Sequence, residues 1–124
     1  MENVATWFEI PSADFERAVR FYEAMFALSL DRQPFPGGGG QMALFPYAEG
    51  KVGGSVVQCD MVKPGADGVL IYLNGGDDLA IPLGRVEAAG GQVVVPKTQI
   101  SPEIGWFAMF KDTEGNVLGL HSMQ

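Results

Sequence analysis

The chain has 124 residues, of which 47% are hydrophobic and 19% charged, and its mean hydropathy is +0.10. This balance is typical of a folded globular domain rather than of a disordered or membrane chain. The net charge of −7 argues against nucleic acid as a partner, because neutralising phosphates needs clustered Lys and Arg. No apolar run approaches the roughly 20 residues that span a bilayer, so we expect no membrane partner.

The cysteine content and the start of the chain indicate a compartment. The single cysteine, Cys59, cannot form an internal disulfide or a cysteine-based zinc site. The start, Met1-Glu2-Asn3-Val4, lacks the basic flank and apolar run of a secretory signal. Both features favour a reducing environment, and we expect a cytoplasmic protein.

The first half of the chain predicts a strand, a helix and three strands. Residues 3–10 are β-prone and end at Pro11, which has no N–H for a sheet ladder. Ser12 is a suitable N-cap for a helix. The apolar face of this helix consists of Phe15, Ala18, Val19, Tyr22, Met25 and Phe26. Three short β-like segments follow, at residues 28–32, 41–47 and 52–59.

Four glycines, Gly37 to Gly40, separate the first two of these segments. The run lacks the Lys-Ser/Thr and the following helix of a phosphate-binding loop. It therefore predicts a mobile connection, which could fold over a ligand.

The second half repeats the order of the first. Residues 61–68, with Pro64 and two glycines, predict a linker, and residues 69–73 predict a strand. A helix is expected from an N-cap at Asp78, because Pro82 is tolerated only near a first turn. The apolar face of this helix consists of Leu79, Leu83, Val86 and Ala89, and the helix closes at Gly90-Gly91.

The last segments predict three strands. Residues 92–96 form the first, which a linker through Pro102 connects to the rest. The apolar arms 104–111 and 117–121 flank Asp112-Thr113-Glu114-Gly115-Asn116, whose residues suit a tight turn, so we expect a β-hairpin.

The resulting order is β-α-β-β-β, a linker, and β-α-β-β-β again. We expect one domain with a first module at residues 1–60, a linker at 61–68 and a second module at 69–124. The predicted fold class is α+β, with two tandem βαβββ modules that form curved mixed sheets around a cavity.

Three segments resemble the vicinal oxygen chelate superfamily, which includes glyoxalase I, extradiol dioxygenases and bleomycin-resistance proteins. They are Trp7-Phe8-Glu9-Ile10-Pro11 continuing through residues 14–22, Arg85 to Lys97 with its Gly90-Gly91, and Gly105-Trp106-Phe107-Ala108 continuing through residues 112–120. Together they cover most of the chain, and the resemblance implies the same paired βαβββ modules.

The resemblance also implies where metal ligands should stand. The superfamily holds a divalent metal with His, Gln or Glu, usually one from each of four strands. The corresponding residues here are Trp7 on the first strand, Ile71 or a neighbour on the first strand of the second module, and Gly119 on the last strand. The fourth position lies on residues 52–59, where Gln58 is the only reasonable donor. Because indole, aliphatic carbon and glycine provide no suitable donor, we expect no metal and no cofactor.

The leading hypothesis is a metal-free small-molecule binding protein of the glyoxalase and bleomycin-resistance type. The resemblance implies a homodimer whose partner completes the cavity. Residues predicted to bind the ligand, through aromatic, sulfur or polar contacts, are Trp7, Glu9, Gln58, Tyr72, Trp106, Phe107 and Met109. Met42 is a further candidate for the cavity wall.

Two alternatives stay open. The chain could be a metal-dependent lyase, isomerase or dioxygenase of the same superfamily with the shifted ligands Glu9, Gln58 and His121. As the only histidine, His121 could otherwise serve as a general base if it had a partner and a place in a pocket. The chain could also be an interaction module whose cavity is filled by its own side chains.

Overall fold

The computed structural model describes residues 3–124. Met1 and Glu2, which form part of the start used for the expectation of a cytoplasmic location, lie outside the described residues. None of the helices in this range is both long and apolar enough to cross a membrane.

The described range contains two helices and eight strands. In chain order they are β1 (Trp7–Pro11), α1 (Phe15–Phe26), β2 (Asp31–Pro34), β3 (Gly40–Leu44), β4 (Gly53–Cys59), β5 (Tyr72–Asn74), α2 (Ala80–Leu83), β6 (Gln92–Ser101), β7 (Gly105–Lys111) and β8 (Val117–Ser122). The predicted order of elements is therefore present in both halves.

The strands form two four-stranded sheets with the same plan. Sheet A has the order β1-β4-β3-β2, with β1 parallel to β4 and the other neighbours antiparallel. Sheet B has the order β5-β8-β7-β6, with β5 parallel to β8 and the other neighbours antiparallel. In each sheet the first strand of its half thus pairs with the last one, as the α+β expectation of tandem βαβββ modules requires.

Each sheet has a core face and an outer face, because directly paired residues share a face and successive residues alternate. Three buried residues that pair across sheet A mark its core face, namely Ile10, Val56 and Ala43. Three buried residues do the same in sheet B, namely Leu73, Leu120 and Ala108. We call the opposite sides the outer faces.

Helix α1 connects the two core faces. Its Asp14 N-cap accepts a hydrogen bond from the Arg17 N–H. The ring of Tyr22 lies 5.7 Å from that of Phe45, next to sheet A, and 6.4 Å from that of Phe110 in sheet B. Both sheets therefore share one hydrophobic core.

The turn between β7 and β8 ties the second half to the start of the first. Asp112 accepts a 2.6 Å hydrogen bond from the Tyr22 hydroxyl, and Asn116 donates a 2.7 Å bond to the Pro11 carbonyl. Asp112 also accepts from the N–H groups of Glu114 and Asn116, which fixes the turn. Burial, and secondarily the nearby Asp112 charge, raise the pKa of Tyr22 well above its usual value.

Glu114 in this turn binds the N-terminal end of α1. It accepts hydrogen bonds from the N–H groups of Ala13 and Asp14 at 2.8 and 2.7 Å, and its other oxygen lies 2.7 Å from Arg17 Nε. Burial alone would raise the pKa of Glu114, but these bonds and one from Thr113 outweigh it and lower the pKa to about 2. The carboxylate thus stabilises the helix terminus and the contact between the halves.

The second helix is shorter than the sequence predicts. It spans Ala80–Leu83 with Leu79 at the N-cap, whereas an N-cap at Asp78 and a helix reaching Gly90 were expected. Residues beyond Gly84 form successive turns instead, for example through the Val86 N–H to the Leu83 carbonyl. The low helix propensity of glycine and the missing N–H of proline account for this, while Leu79 and Val86 are still fully buried.

Other boundaries also differ from the expectation. The predicted strand at 28–32 is instead Asp31–Pro34, since Leu30 turns into the core. The predicted strand at 92–96 continues to Ser101, with register shifts that accommodate Pro96. The predicted N-cap Ser12 instead donates its hydroxyl to the Val57 carbonyl, and Asp14 caps the helix.

Candidate ligand-binding site

An indole ring covers a glycine on the outer face of sheet A. Trp7 on β1 pairs with Gly53 on the parallel strand β4. A Cβ on Gly53 would lie 2.8 Å from the Trp7 ring, so only glycine lets the indole lie flat against the backbone here. The Tyr47 ring meets the indole edge-on, with centroids 5.4 Å apart. Trp7 stays 38% exposed, and a ligand can therefore reach it.

Sheet B repeats this arrangement. Tyr72 on β5 pairs with Gly119 on the parallel strand β8, and a Cβ on Gly119 would collide with the Tyr72 ring. The pairs Trp7–Gly53 and Tyr72–Gly119 therefore occupy equivalent positions in the two modules. In each, an aromatic residue from the first strand covers a glycine of the last. Tyr72 is 47% exposed.

A cavity of about 420 Å³ is lined by one member of each pair, Gly53 and Tyr72, but not by Trp7 or Gly119. Its other walls are mostly apolar and include Phe8, Phe26, Leu28 and Phe45. This volume lies within the range of small-molecule sites, and the composition suits an apolar ligand.

The outer face of sheet B carries a further apolar surface beside Tyr72. Phe107 and Met109 on β7 point the same way as Tyr72, because they pair with His121 and Gly119 of β8. The rings of Tyr72 and Phe107 lie 6.4 Å apart in an edge-to-face arrangement. Three predicted ligand-binding residues, Tyr72, Phe107 and Met109, are therefore brought together.

The outer face of sheet A adds polar groups. Glu9 lies two residues after Trp7 and is exposed, and it pairs with Ser55 on β4. Ser55 is fully buried, and its hydroxyl has no hydrogen-bond partner among the described residues. Trp7 and Glu9 are thus the two predicted residues on this face.

Two predicted residues lie on the core faces instead. The Gln58 amide donates to the Ala13 carbonyl and accepts from Gln41, on the opposite side of sheet A from Glu9. Trp106 packs against the core, and the Lys97 ammonium lies 4.8 Å from its ring centroid. Alternation along β7 places Trp106 opposite Phe107, so these two residues cannot both line the outer face.

The metal ligands that the resemblance implies would lie on the first and last strands of each half. The resemblance places metal ligands at Trp7, at Ile71 or a neighbour, and at Gly119, and the strand register pairs Trp7 with Gly53 and Tyr72 with Gly119. An indole, a phenol and two glycines do not fit a divalent cation, which needs carboxylate, imidazole or amide donors. Across residues 3–124, no three His, Cys, Asp or Glu side chains come together in a group able to hold a metal ion.

No family model matches the chain. Among curated proteins, it is 28% identical over 123 residues to CFP32 of Mycobacterium tuberculosis and Mycobacterium bovis, which is named as a proposed glyoxylase. The match covers 96% of the chain but 45% of CFP32, so the chain spans about half the length of these relatives.

Solved structures share the fold. TnmS3, an antibiotic-binding protein from a Streptomyces species, is 26% identical with a TM-score of 0.64, and the match covers 98% of both chains. A glyoxalase I mutant from Zea mays is 19% identical with a TM-score of 0.68, and the match covers 95% of this chain and 45% of the maize chain. The relatives and structural neighbours of the chain are glyoxalase and bleomycin-resistance proteins, which belong to the vicinal oxygen chelate superfamily. The expected glyoxalase-like fold is thereby confirmed.

Within this glyoxalase-like fold, sequence reasoning did not identify three residues near the site. Tyr47 follows β3 and contacts Trp7, and Asn74 pairs with His121 at the end of β5. Ser55 is a candidate site residue only because its buried hydroxyl has no hydrogen-bond partner among the described residues. Tyr47 and Ser55 carry no recognisable motif, but Asn74 could have been found as the polar residue two positions after Tyr72 on the same face.

Proposed function

We propose that this protein is a metal-free small-molecule binding protein of the glyoxalase and bleomycin-resistance type. The observation that carries the proposal is that two aromatic residues, Trp7 and Tyr72, each cover a glycine of the paired strand in the region where the resemblance implies metal ligands. Rings at these positions provide flat apolar contact area in place of a cation, and such area suits a planar ligand.

The ligand is proposed to bind between the two aromatic–glycine pairs. Tyr72 lines the 420 Å³ cavity, which accepts the apolar body of the ligand, and Gly53, the partner of Trp7, lines it as well. Phe107 and Met109, on the same face of sheet B as Tyr72, extend the contact beyond the cavity. Glu9, two residues after Trp7 on the same face of β1, adds an exposed polar group next to the indole. The similarity to TnmS3, an antibiotic-binding protein, supports an organic molecule of this kind.

The proposal includes a homodimer in the cytoplasm, formed by the single domain expected from the sequence. Trp7, Tyr47 and Tyr72 are large apolar side chains that are more than a third exposed. A second copy would cover part of this surface and enclose the ligand. A monomeric mass in light scattering, with and without ligand, would refute the dimer.

A thermal-shift screen of planar aromatic compounds tests the binding function. Compounds that bind should raise the Tm of the wild-type protein but not that of Trp7→Ala or Tyr72→Ala. Val94→Ala, which removes an exposed apolar side chain elsewhere, should keep the full shift. The proposal fails if no compound stabilises the protein. It also fails if the purified protein contains an equimolar, tightly bound transition metal.

A further inference from the structure

His121, the only histidine of the chain, lies on the outer face of sheet B. It pairs with Phe107 of β7 on one side and with Asn74 of β5 on the other. Its side chain therefore points the same way as the aromatic surface of Tyr72 and Phe107. The ring is partly exposed, so a molecule bound on that surface can reach it.

A backbone contact determines which nitrogen of His121 carries the proton. Nε2 lies 2.5 Å from the Ile104 carbonyl oxygen, which can only accept a hydrogen bond. Nε2 must therefore be the protonated nitrogen of the neutral imidazole, and Nδ1 keeps its lone pair. Among residues 3–124, Nδ1 has no hydrogen-bond partner. The contact thus presents an oriented acceptor next to the aromatic rings.

Asn74 supplies the complementary donor. Its Oδ1 accepts a 2.8 Å hydrogen bond from the Gly76 N–H, which directs the side-chain NH₂ group away from that turn. His121 and Asn74 are paired neighbours, and the Gly75 N–H donates to the His121 carbonyl at 2.7 Å to hold the strands together. An acceptor on His121 and a donor on Asn74 thus belong to directly paired residues on the same face as Tyr72 and Phe107.

We infer that this end of sheet B is a subsite for an aromatic hydroxyl group. The ligand ring packs on Tyr72 and Phe107, its O–H donates to His121 Nδ1, and its oxygen accepts from Asn74 Nδ2. The inference rests on the proposed binding function and adds to it the chemical class of the ligand, a planar phenol. His121 acts here as a specificity-determining residue.

Two matched probes test the subsite. We expect 1-naphthol to bind wild-type protein about fivefold more tightly than 1-methoxynaphthalene, which has the same rings but no O–H to donate, as one additional hydrogen bond predicts. In His121→Phe, which keeps a ring but has no acceptor, both probes should bind equally. Equal affinities in the wild-type protein would overturn the subsite, while binding of both probes would still support the proposed function. Failure of both probes to bind would count against the two together.

A second measurement uses only the wild-type protein and therefore does not require that a variant folds. Because the chain has one histidine, nitrogen-15 NMR of the side chain gives a single pair of ring nitrogens. At pH 8 we expect a protonated Nε2 and an unprotonated Nδ1, and only 1-naphthol should shift the Nδ1 signal strongly. A proton on Nδ1, or identical shifts with both probes, would overturn the inference.

Discussion

The Tyr22 hydroxyl donates a 2.6 Å hydrogen bond to the Asp112 carboxylate across 90 residues of sequence. Both residues are buried, and they join helix α1 of the first half to the β7–β8 turn of the second. Breaking this bond therefore tests how much the contact between the two halves contributes to the stability of the protein.

Removing the Tyr22 hydroxyl should destabilise the whole protein. Tyr22→Phe leaves the buried carboxylate with one donor fewer, and we expect the free energy of unfolding in urea to fall by about 1–3 kcal/mol. Tyr47→Phe removes the hydroxyl of an exposed residue and should change the free energy of unfolding by less than about 0.5 kcal/mol. Equal effects of the two substitutions would contradict a special role of the buried bond.

Glu114 should make stability depend on acid pH. Its pKa of about 2 in the folded protein lies below the usual value, so its contribution is complete above about pH 4.5 and disappears as the pH falls towards 2. The shift corresponds to at most about 3 kcal/mol at neutral pH.

The variant Glu114→Gln isolates this contribution. It should be less stable than the wild-type protein at pH 7, and the difference in the free energy of unfolding should shrink between pH 4.5 and 2. Glu87→Gln, at an exposed position, should show no such convergence. A difference that stays constant with pH would show that the charge of Glu114 is not responsible.

The Tyr72 ring should determine whether a side chain larger than that of glycine is tolerated at position 119. Gly119→Ala places a Cβ against this ring, and we expect a loss of about 1–3 kcal/mol in a wild-type background but much less in Tyr72→Ala. Gly65→Ala, where a Cβ would meet nothing within 4 Å, is the matched control. Urea unfolding of the wild-type protein, the two single variants and the double variant measures the coupling between positions 72 and 119. If the losses in the free energy of unfolding are additive, the contact is refuted.

The two tryptophans should report on different faces. With Trp106→Phe, the remaining Trp7 fluorescence should be quenched readily by acrylamide, and a compound that raises the Tm should protect it. With Trp7→Phe, the remaining Trp106 packs against the core and under Lys97, so the same compound should leave its quenching unchanged. Protection of Trp106 rather than Trp7 would place the ligand elsewhere.

Local patterns in the sequence predicted most elements but not all their ends. The spacing of Phe15, Val19 and Tyr22 is enough to predict α1, because one helical face must meet the core. The second helix was overpredicted, since the same apolar spacing continues through residues that form turns. Apolar periodicity indicates which side chains are buried, but the backbone between them can satisfy its hydrogen bonds in more than one way.

The face of a strand residue could not be assigned from the sequence. Trp106 and Phe107 are both aromatic, and alternation requires only that they point in opposite directions. The pairing of Ala108 with Leu120 decides that Phe107 belongs to the outer face. The face of Gln58 could not be assigned from the sequence either, so Gln58 was a candidate ligand-binding residue. The strand register places it on the core face beside Gln41.

The sequence by itself determined the βαβββ repeat, the resemblance to the superfamily and the residue types at positions 7 and 119, because each depends on residue type and order along the chain. Only the tertiary structure decided that Gly53 is the partner of Trp7 as Gly119 is of Tyr72, and that His121 stands beside Asn74. These relationships depend on strand register, which long-range packing of the buried residues selects and no local pattern encodes.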